Sequence, residues 1–410
     1  MSVMERPEGS AKRPPVRFHS AERRGRRIGR LLKVSMRLRE PTTAELDIIG
    51  RRMMMRDEPA AALVQAMRAP RDSADRVSMQ QFRDALEEVP ADAPPALREF
   101  FATVENTPEW GDSDLLERGA GVYRRLGQNA NDVLLQLSLI GGYRFGGPPD
   151  LLVATGGLTG STVMRRLGET QAWGIEVGRR GGMQRGGEGW KLTVHVRLMH
   201  ALVNHSFENN GRWDVARHGL PINQADLAGT LSLFSGTLLM GVRALGVPVS
   251  REDSRALMHL WKYVGWLVGV DDDWLFDEEV AQHQFSYAVL LAQGDVTDAG
   301  AQLTTALVDS QKDLNYRWFP AASAIYTRLR LLSMLQAFLG PRGMRDLGQR
   351  QALPWAIGSA WLRNTVNHRI IGKTPVGERY LEFLGAKAVE RAHFRHFGDR
   401  QTHLGALENR

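Results

Sequence analysis

The sequence predicts an all-α fold, and three observations carry this prediction. From about Leu97 to Ala392, apolar residues recur at spacings of three and four residues, broken by Gly and Pro, which is the pattern of amphipathic helices. Strand-like alternation is scarce: "GWKLTVHV" has some, but it runs directly into a helical pattern. No unit of about 20 to 50 residues repeats, which argues against a solenoid. We expect one large helical domain.

The bulk composition limits the classes of site that the chain can hold. Its 410 residues are enough to bury a substantial core, and the absence of Cys excludes disulfides, thiolate metal sites and Cys nucleophiles. The most apolar runs, "LSLFSGTLLMGV" and "YVGWLVGV", are shorter than the roughly 20 residues of a membrane-spanning helix. We interpret both as buried helices and expect no transmembrane segment.

The net charge of +7 is concentrated in the first forty residues. Such a basic segment can contact nucleic acid or anionic lipid, but it is more often solvated and mobile. We predict a disordered basic arm over residues 1–40, with no specific nucleic-acid partner and at most a peripheral membrane contact. The paired arginines of "ERRGRRIGRLL" are not followed by an apolar signal region, so we expect a cytoplasmic protein.

The remaining chain is predicted to comprise a helical lead-in (41–96), the main helical domain (97–392) and a C-terminal tail (393–410). Two helix starts can be placed within the main domain. Asn223 is the expected N-cap of "QADLAGTLSLF", and Ser250 is that of "REDSRALMHLWKYVGWL".

Three histidines, His195, His200 and His205, lie five residues apart in "KLTVHVRLMHALVNHSF". On a helix, five residues rotate a side chain by about 140°, so the three cannot converge on one metal ion. His200 differs from the others because it emerges from an apolar stripe. Such an imidazole is either a hydrogen-bonded core residue, the more common case, or a lone metal ligand. A haem iron needs one such ligand, since the porphyrin supplies four nitrogens.

A second segment, "STVMRRLGETQAWG", places Arg166 and Thr170 on one helix face, with Trp173 one turn further along. Glu169 adds a carboxylate beside them. Polar groups next to an aromatic residue are unusual for a plain surface helix, although an exposed, ion-paired helix explains the pattern equally well.

These segments occur in a definite order: "RRLGETQAW", "VRLMHALV", "GLPINQADLAGTLSLFS" and "LWKYVGWLVGVDDDWL". In this order they resemble the catalytic domain shared by bacterial rubber oxygenases (latex-clearing proteins) and fungal MpaB-type oxygenases. The resemblance covers roughly Asp112 to Ala292, with a weaker part through "LPWAIGSAWLRNTV". It implies that residues 97–392 form an all-α oxygenase-like catalytic domain with a globin-like core around haem b.

The resemblance also implies roles for individual residues. His200 is similar to the proximal iron ligand of the family, and Arg166 and Thr170 are similar to a pair near the haem. Some rubber oxygenases carry a lysine where this chain has Glu169. Arg197, one turn from His200, is a candidate partner of a haem propionate, although a solvated surface charge is the more common role of such a residue.

The function implied by the resemblance is that of a haem b-dependent oxygenase. His200 would bind the iron, with O₂ bound on the opposite side, while Arg166 would stabilise developing negative charge and Thr170 would donate a hydrogen bond. Glu169 is either a catalytic base or the ion-pair partner of Arg165. The expected substrate is a small hydrophobic, isoprenoid-like molecule.

Two other interpretations stay open. All-α isoprenoid synthases hold Mg²⁺–pyrophosphate on Asp-rich helices, and "VDDDWLFDEE" supplies Asp271, Asp272 and Asp273. The D-D-x-x-D spacing is missing because Trp274 and Leu275 follow, so a capping role after the preceding helix is favoured. The other interpretation is a non-catalytic protein that binds haem or a hydrophobic ligand in the same pocket.

Overall fold

The computed structural model describes residues 13–156 and 160–398, and those residues contain no β-strand. Their α-helices are α1 (Glu22–Ser35), α2 (Thr43–Arg52), α3 (Glu58–Met67), α4 (Met79–Ala85), α5 (Pro95–Glu105), α6 (Ser113–Leu126), α7 (Gln128–Val133), α8 (Pro148–Ala154), α9 (Gly160–Val177), α10 (Glu188–Asn209), α11 (Val215–His218), α12 (Gln224–Phe234), α13 (Gly236–Ala244), α14 (Arg251–Leu267), α15 (Glu279–Ala292), α16 (Asp298–Asp309), α17 (Pro320–Asp346), α18 (Trp355–Arg369) and α19 (Pro375–Phe397). A π-helix (Leu134–Ile140) follows α7, and short 3₁₀ segments cover Asp272–Trp274, Ser310–Asp313 and Ile371–Lys373. The all-α prediction is confirmed.

The predicted helix starts at Asn223 and Ser250 are also confirmed. The Asn223 side chain accepts a hydrogen bond from the backbone N–H of Asp226 at 2.9 Å, and the Ser250 hydroxyl accepts one from the backbone N–H of Asp253 at 3.0 Å. Each bond satisfies an N–H group that the first helical turn leaves without a partner. The strand-like stretch "GWKLTVHV" lies entirely in α10, because its alternation is too short to override the helical period.

The core is organised around α14, whose residues Trp261 and Leu257 are fully buried. α6 lies directly against α14 because Gly119 has no side chain: a Cβ there would lie 2.2 Å from the Ala256 carbonyl oxygen. The stretch Gln224–Ala244, which contains α12 and α13, is long and apolar enough to cross a membrane, but 61% of it is buried inside the protein. This stretch belongs to the core of the fold.

The prediction of a disordered arm is wrong for residues 13–40. α1 packs along α15 through two glycines one turn apart. A Cβ at Gly25 would lie 2.0 Å from a backbone carbonyl oxygen of α15, and a Cβ at Gly29 would lie 2.8 Å from the Tyr287 ring. The abundance of arginine indicated a solvated segment, but the glycine-lined face between the arginines allows close packing. Residues 1–12 lie outside the described part of the chain.

Arg17 fixes the segment that precedes α1. Its guanidinium is buried, and Nη2 pairs with the buried carboxylate of Asp226. Nη1 donates to Gln293 Oε1 at 3.1 Å, and Nε donates to the His218 carbonyl oxygen at 2.6 Å. An arginine that the composition suggested to be solvated therefore links three distant parts of the chain.

The predicted boundaries between segments do not separate structural units. Leu63 and Phe82 of the lead-in lie in the same hydrophobic cluster as Trp261 of α14, so the lead-in is part of the main core. At the other end, the predicted boundary after residue 392 falls inside α19. Residues 399–410 lie outside the described residues.

Replacing Arg17 with Met is expected to lower the free energy of unfolding by about 3 kcal/mol, because the carboxylate of Asp226 stays buried without its partner. Urea unfolding followed by circular dichroism measures this loss. Arg39→Met is the matched control, since the Arg39 side chain is 57% exposed in its pair with Glu45 and an exposed ion pair of this kind contributes little to stability. Equal losses in the two variants would contradict the structural role of Arg17.

Candidate functional site

A hydrogen bond joins α9 to α10, and aromatic side chains of α12 and α14 pack around it. Trp173 Nε1 donates to Thr193 Oγ1 at 3.0 Å, and the Thr193 hydroxyl donates to the Gly189 carbonyl oxygen at 2.6 Å. The Trp173 ring also packs edge-on against Phe234 of α12, with 5.7 Å between ring centroids, and lies 5.9 Å from Trp261 of α14. This aromatic cluster fixes the positions of α9, α10 and α12 relative to one another.

The register of these helices brings the predicted site segments together. Arg166 lies seven residues before the tryptophan, His200 lies seven residues after the threonine, and Leu227 lies seven residues before the phenylalanine. Seven residues make nearly two full turns and about 10 Å of helix, so each residue shares a helix face with its partner in the cluster. Trp173 lies near the end of α9 and Thr193 near the start of α10, so Arg166 and His200 both lie on the side of this contact away from the connection between the two helices.

Exposed or partly exposed residues lie in the middle of α9, α10 and α12. Thr170 of α9 is exposed and His200 of α10 is half-buried. Thr230, on the same face of α12 as the phenylalanine of the cluster, is exposed, whereas Ala225 and Ala228 on other sides of that helix are buried. An exposed residue in the middle of a core helix indicates an opening in the fold. We name this opening the α9–α10–α12 cleft.

His200 has the electrostatic properties of a neutral ligand. Burial lowers its pKa to about 4, and the negative charge of nearby Asp57 opposes this shift only in part. The imidazole is therefore neutral at pH 7. Its Nδ1 atom is buried and has no hydrogen-bond partner among the described residues. His200 also borders an internal cavity of about 30 Å³, together with Asp57 and Asn204.

A metal ion at this position would need ligands beyond those of the protein. No group of three or more His, Cys, Asp or Glu side chains in residues 13–156 and 160–398 could hold a metal ion. A metal bound to His200 must therefore bring most of its ligands with it, as haem iron does through four porphyrin nitrogens. A neutral imidazole with an unpaired nitrogen, beside a cleft with apolar and aromatic walls, fits such a group.

The other two histidines of α10 have different surroundings. The His195 ring lies 6.1 Å from the Phe82 ring of α4, centroid to centroid, and burial lowers its pKa. His205 borders the internal cavity beside His200, and its carbonyl oxygen accepts a hydrogen bond from Asn209 Nδ2 at 2.6 Å. The five-residue spacing keeps the three rings on different sides of α10.

The predicted polar residues of α9 fall into two groups. Arg166 Nη1 donates to Thr155 Oγ1 at 3.2 Å, which uses one of the five N–H donors of its guanidinium. Glu169 lies 3.5 Å from Arg165 Nε, and both side chains are exposed. The structure therefore shows Glu169 in an ion pair with Arg165, which was one of the two interpretations drawn from the sequence.

Arg197 is neither a solvated surface charge nor available to a propionate in this structure. Its Nε lies 2.5 Å from Asp57 Oδ2 and its Nη2 lies 2.9 Å from Asp57 Oδ1, so the two groups form a bidentate, buried ion pair. Nη1 also donates to Thr103 Oγ1 at 3.1 Å, and the guanidinium lies over the Phe100 ring. No local sequence pattern indicates this pairing, since Asp57 is 140 residues away.

The aspartates proposed for Mg²⁺ interact with an arginine. Arg52 Nη1 lies 3.5 Å from Asp271 Oδ2, and its Nη2 donates to Asp273. The same guanidinium lies 4.3 Å from the Trp274 ring centroid. The guanidinium of Arg52 thus lies beside the carboxylates, which lie in or directly before the 3₁₀ segment after α14. This arrangement favours a structural role for the aspartates.

The fold is an all-α domain in which a single neutral histidine borders a cavity, and comparison with known proteins identifies its family. A family model described as "ER-bound oxygenase mpaB/B'/Rubber oxygenase, catalytic domain" matches residues 128–367, more than half of the chain. The chain belongs to this family. The resemblance drawn from its sequence motifs is confirmed.

Two individual proteins show how far the similarity extends. The rubber oxygenase of Streptomyces sp. (strain K30) is 23% identical over 284 residues, which are 67% of this chain and 66% of that protein. The chain thus spans just under two thirds of the length of this relative. A solved structure, "Structure of Latex Clearing Protein LCP in the closed state", has 21% identity and a TM-score of 0.56, covering 82% of this chain and 91% of that chain. This likeness supports the shared fold.

Replacing Arg197 with Met is expected to lower the free energy of unfolding of the haem-free protein by about 3 kcal/mol, because Asp57, whose side chain is only 15% exposed, loses its partner. Urea unfolding of haem-free protein measures the loss. If this variant does not fold, Arg197→Lys keeps the charge and should show a smaller loss.

The control for this prediction is Arg180→Met, because Arg180 is 88% exposed and its loss should cost less than about 1 kcal/mol. Unchanged stability of the Arg197 variants, with only their haem retention reduced, would instead assign Arg197 to a propionate.

Proposed function

We propose that this protein is a haem b-dependent oxygenase that uses O₂ to oxidise a small hydrophobic molecule. One observation carries the proposal: His200 is neutral, its buried Nδ1 has no partner, and it borders the α9–α10–α12 cleft in a member of an oxygenase family. His200 would hold a haem iron as its one protein ligand. The haem, when bound, supplies the iron at which O₂ is activated.

Polar groups on the α9 face provide the chemistry that the protein itself adds. Arg166 keeps a fixed positive charge on the face that carries Trp173, where it stabilises negative charge developing on a reacting oxygen. Thr170 is exposed on the same helix, one turn further along, and its hydroxyl donates a hydrogen bond there. We assign no proton transfer to Glu169, since it is exposed and paired with Arg165.

Apolar side chains provide the binding energy for the substrate. Val196 of α10 and Leu227 and Phe234 of α12 lie on the helix faces turned toward the cleft, and all three are only partly buried. Covering such surface with a hydrophobic ligand gains about 25 cal/mol per Å² and excludes water from the reacting atoms. We propose an isoprenoid-like substrate of a size that these walls can enclose.

Asp57 would fix the orientation of the His200 ring. Its carboxylate is held by Arg197 and borders the same internal cavity as His200. The cavity has room for a water molecule, which would connect the carboxylate with the unpartnered Nδ1 of His200 and leave Nε2 as the nitrogen that binds the iron. A fixed acceptor of this kind sets the tautomer and the ring orientation of a metal-binding histidine.

His200→Ala is expected to abolish the Soret band of protein reconstituted with haemin, because the axial ligand is removed. His195→Ala is the matched control on the same helix and should keep the band, since His195 packs against Phe82 and does not border the cavity beside His200. Absorption spectra of both variants, with circular dichroism as the check of folding, measure the result. A Soret band retained by a folded His200→Ala variant would exclude His200 as the ligand.

Arg166→Ala is expected to lower the rate of O₂ consumption by about a hundredfold, because the fixed positive charge is lost. An oxygen electrode measures the rate with emulsified squalene and shorter isoprenoid alcohols, and the haem content of each sample is determined in parallel. Arg165→Ala is the control, since Arg165 is 69% exposed, and it should keep the rate of the wild type.

The same assay separates catalysis from ligand binding. If the haem-loaded wild type consumes no O₂ with any of these molecules, the protein is a non-catalytic haem or hydrophobic-ligand binding protein. If Arg166→Ala keeps both its haem and its rate, Arg166 has no role in the reaction.

A further inference from the structure

The outer sides of α17 and α18 carry large exposed apolar side chains. Their exposed fractions range from 43% at Trp355 to 81% at Phe319. We define the α17–α18 face by six residues: Trp318, Phe319, Tyr326, Trp355, Leu362 and Ile370. Single exposed hydrophobic residues are ordinary on proteins, but a contiguous group of this kind marks an interaction surface.

The face is continuous across the two helices. The rings of Tyr326 and Trp355 contact each other, with 5.9 Å between their centroids. On α18, Trp355, Leu362 and Ile370 follow at intervals of seven and eight residues, so they lie along one side of the helix. The other side is also apolar and lies in the core, where Ala356 and Ala360 are buried. α18 therefore has two apolar sides, and the protein covers one of them.

The start of α17 presents two aromatic residues to solvent at a strained backbone position. Trp318 is 74% exposed, and Phe319 has a φ of +43°, in the left-handed region. Bulky residues rarely adopt this conformation. The exposed Phe319 side chain gains nothing from the core that would offset the strain. The position of these two rings therefore indicates a contact outside the chain.

The segment that carries the face has an excess of basic residues, although Arg328 pairs with Asp309 and Arg330 with Asp132. Residues 314–377 contain nine Lys and Arg and a single acidic residue, Asp346. Asp346 is itself paired with Arg24 and Arg144. Arg369 and Lys373 lie beside the end of the α18 stripe. A partner that binds this surface must have an apolar interior and a negatively charged surface.

A second copy of the chain does not meet this requirement, because self-association would bring two basic surroundings together. An anionic lipid membrane does meet it. Trp and Tyr favour the boundary between the headgroups and the acyl chains, and each basic residue near an anionic surface adds attraction. We propose that the α17–α18 face docks on the surface of an anionic membrane, with its aromatic rings in the headgroup region and no segment of the face crossing the bilayer.

This surface differs from the basic N-terminal segment, in which a membrane contact was expected. Within the described residues, Arg17 and Arg24 of that segment pair with Asp226 and Asp346 of the body. The docking proposal does not depend on the oxygenase proposal. If both hold, the face brings the protein to the lipid phase in which a hydrophobic substrate dissolves.

Vesicle flotation of the full chain tests the proposal. The probes are vesicles of phosphatidylcholine alone and of phosphatidylcholine mixed with an equal amount of phosphatidylglycerol. The wild type is expected to float with the mixed vesicles and to do so less at high salt, whereas Trp318→Ser/Phe319→Ser is expected to bind them at least about tenfold more weakly. Both substituted residues are exposed, and thermal unfolding followed by circular dichroism confirms that the variant folds.

Leu31→Ser/Val34→Ser is the matched control, since Leu31 and Val34 are exposed apolar residues on the basic helix α1. It should float like the wild type. The proposal is overturned if the wild type does not float with mixed vesicles, or if the Trp318/Phe319 variant floats equally well. It is also overturned if binding is lost only in the α1 variant, or if the wild type sediments as a dimer that the Trp318/Phe319 variant converts to a monomer.

Discussion

The buried ion pair between Asp57 and Arg197 is the interaction on which the candidate site depends. It connects the start of α3 to α10 one turn away from His200. A buried pair of this kind gains little net stability, since both charges lose their hydration, but removal of one partner is costly. It also requires Gly269, because a Cβ there would lie 2.4 Å from Asp57 Oδ2 and 2.9 Å from Arg197 Nε. The pair therefore selects one arrangement of α3, α10 and the end of α14.

A second pair of the same type supports the other wall of the cleft. Asp226 precedes Leu227 on α12 and is held by Arg17, as Arg197 on α10 is held by Asp57. In both cases the partner comes from the first sixty residues of the chain, outside the part that matches the family model. The N-terminal segments thus brace both α10 and α12, and Asp57 itself borders the cavity between these two helices.

Sequence reasoning succeeded where the information is local. Helical periodicity and the caps at Asn223 and Ser250 depend on residues a few positions apart. The special role of His200 among the three histidines of α10 rests on the same helical geometry and on the family resemblance, and it stays a prediction. The reasoning failed for Arg197 and for residues 13–40, because their partners lie far away in sequence: 140 residues separate Asp57 from Arg197, and 209 separate Arg17 from Asp226. Charge counts treat such arginines as solvated, and only the tertiary structure shows which carboxylate each one meets.

The central claim is that a single neutral imidazole, that of His200, binds the iron. Resonance Raman spectroscopy of the reduced, haem-loaded protein tests this bond directly. The wild type is expected to show an iron–histidine stretching band. His200→Gly should lack the band and regain it when free imidazole is added, because imidazole can occupy the space left by the side chain. A band that persists in His200→Gly without imidazole would contradict the assignment and require another residue as the ligand.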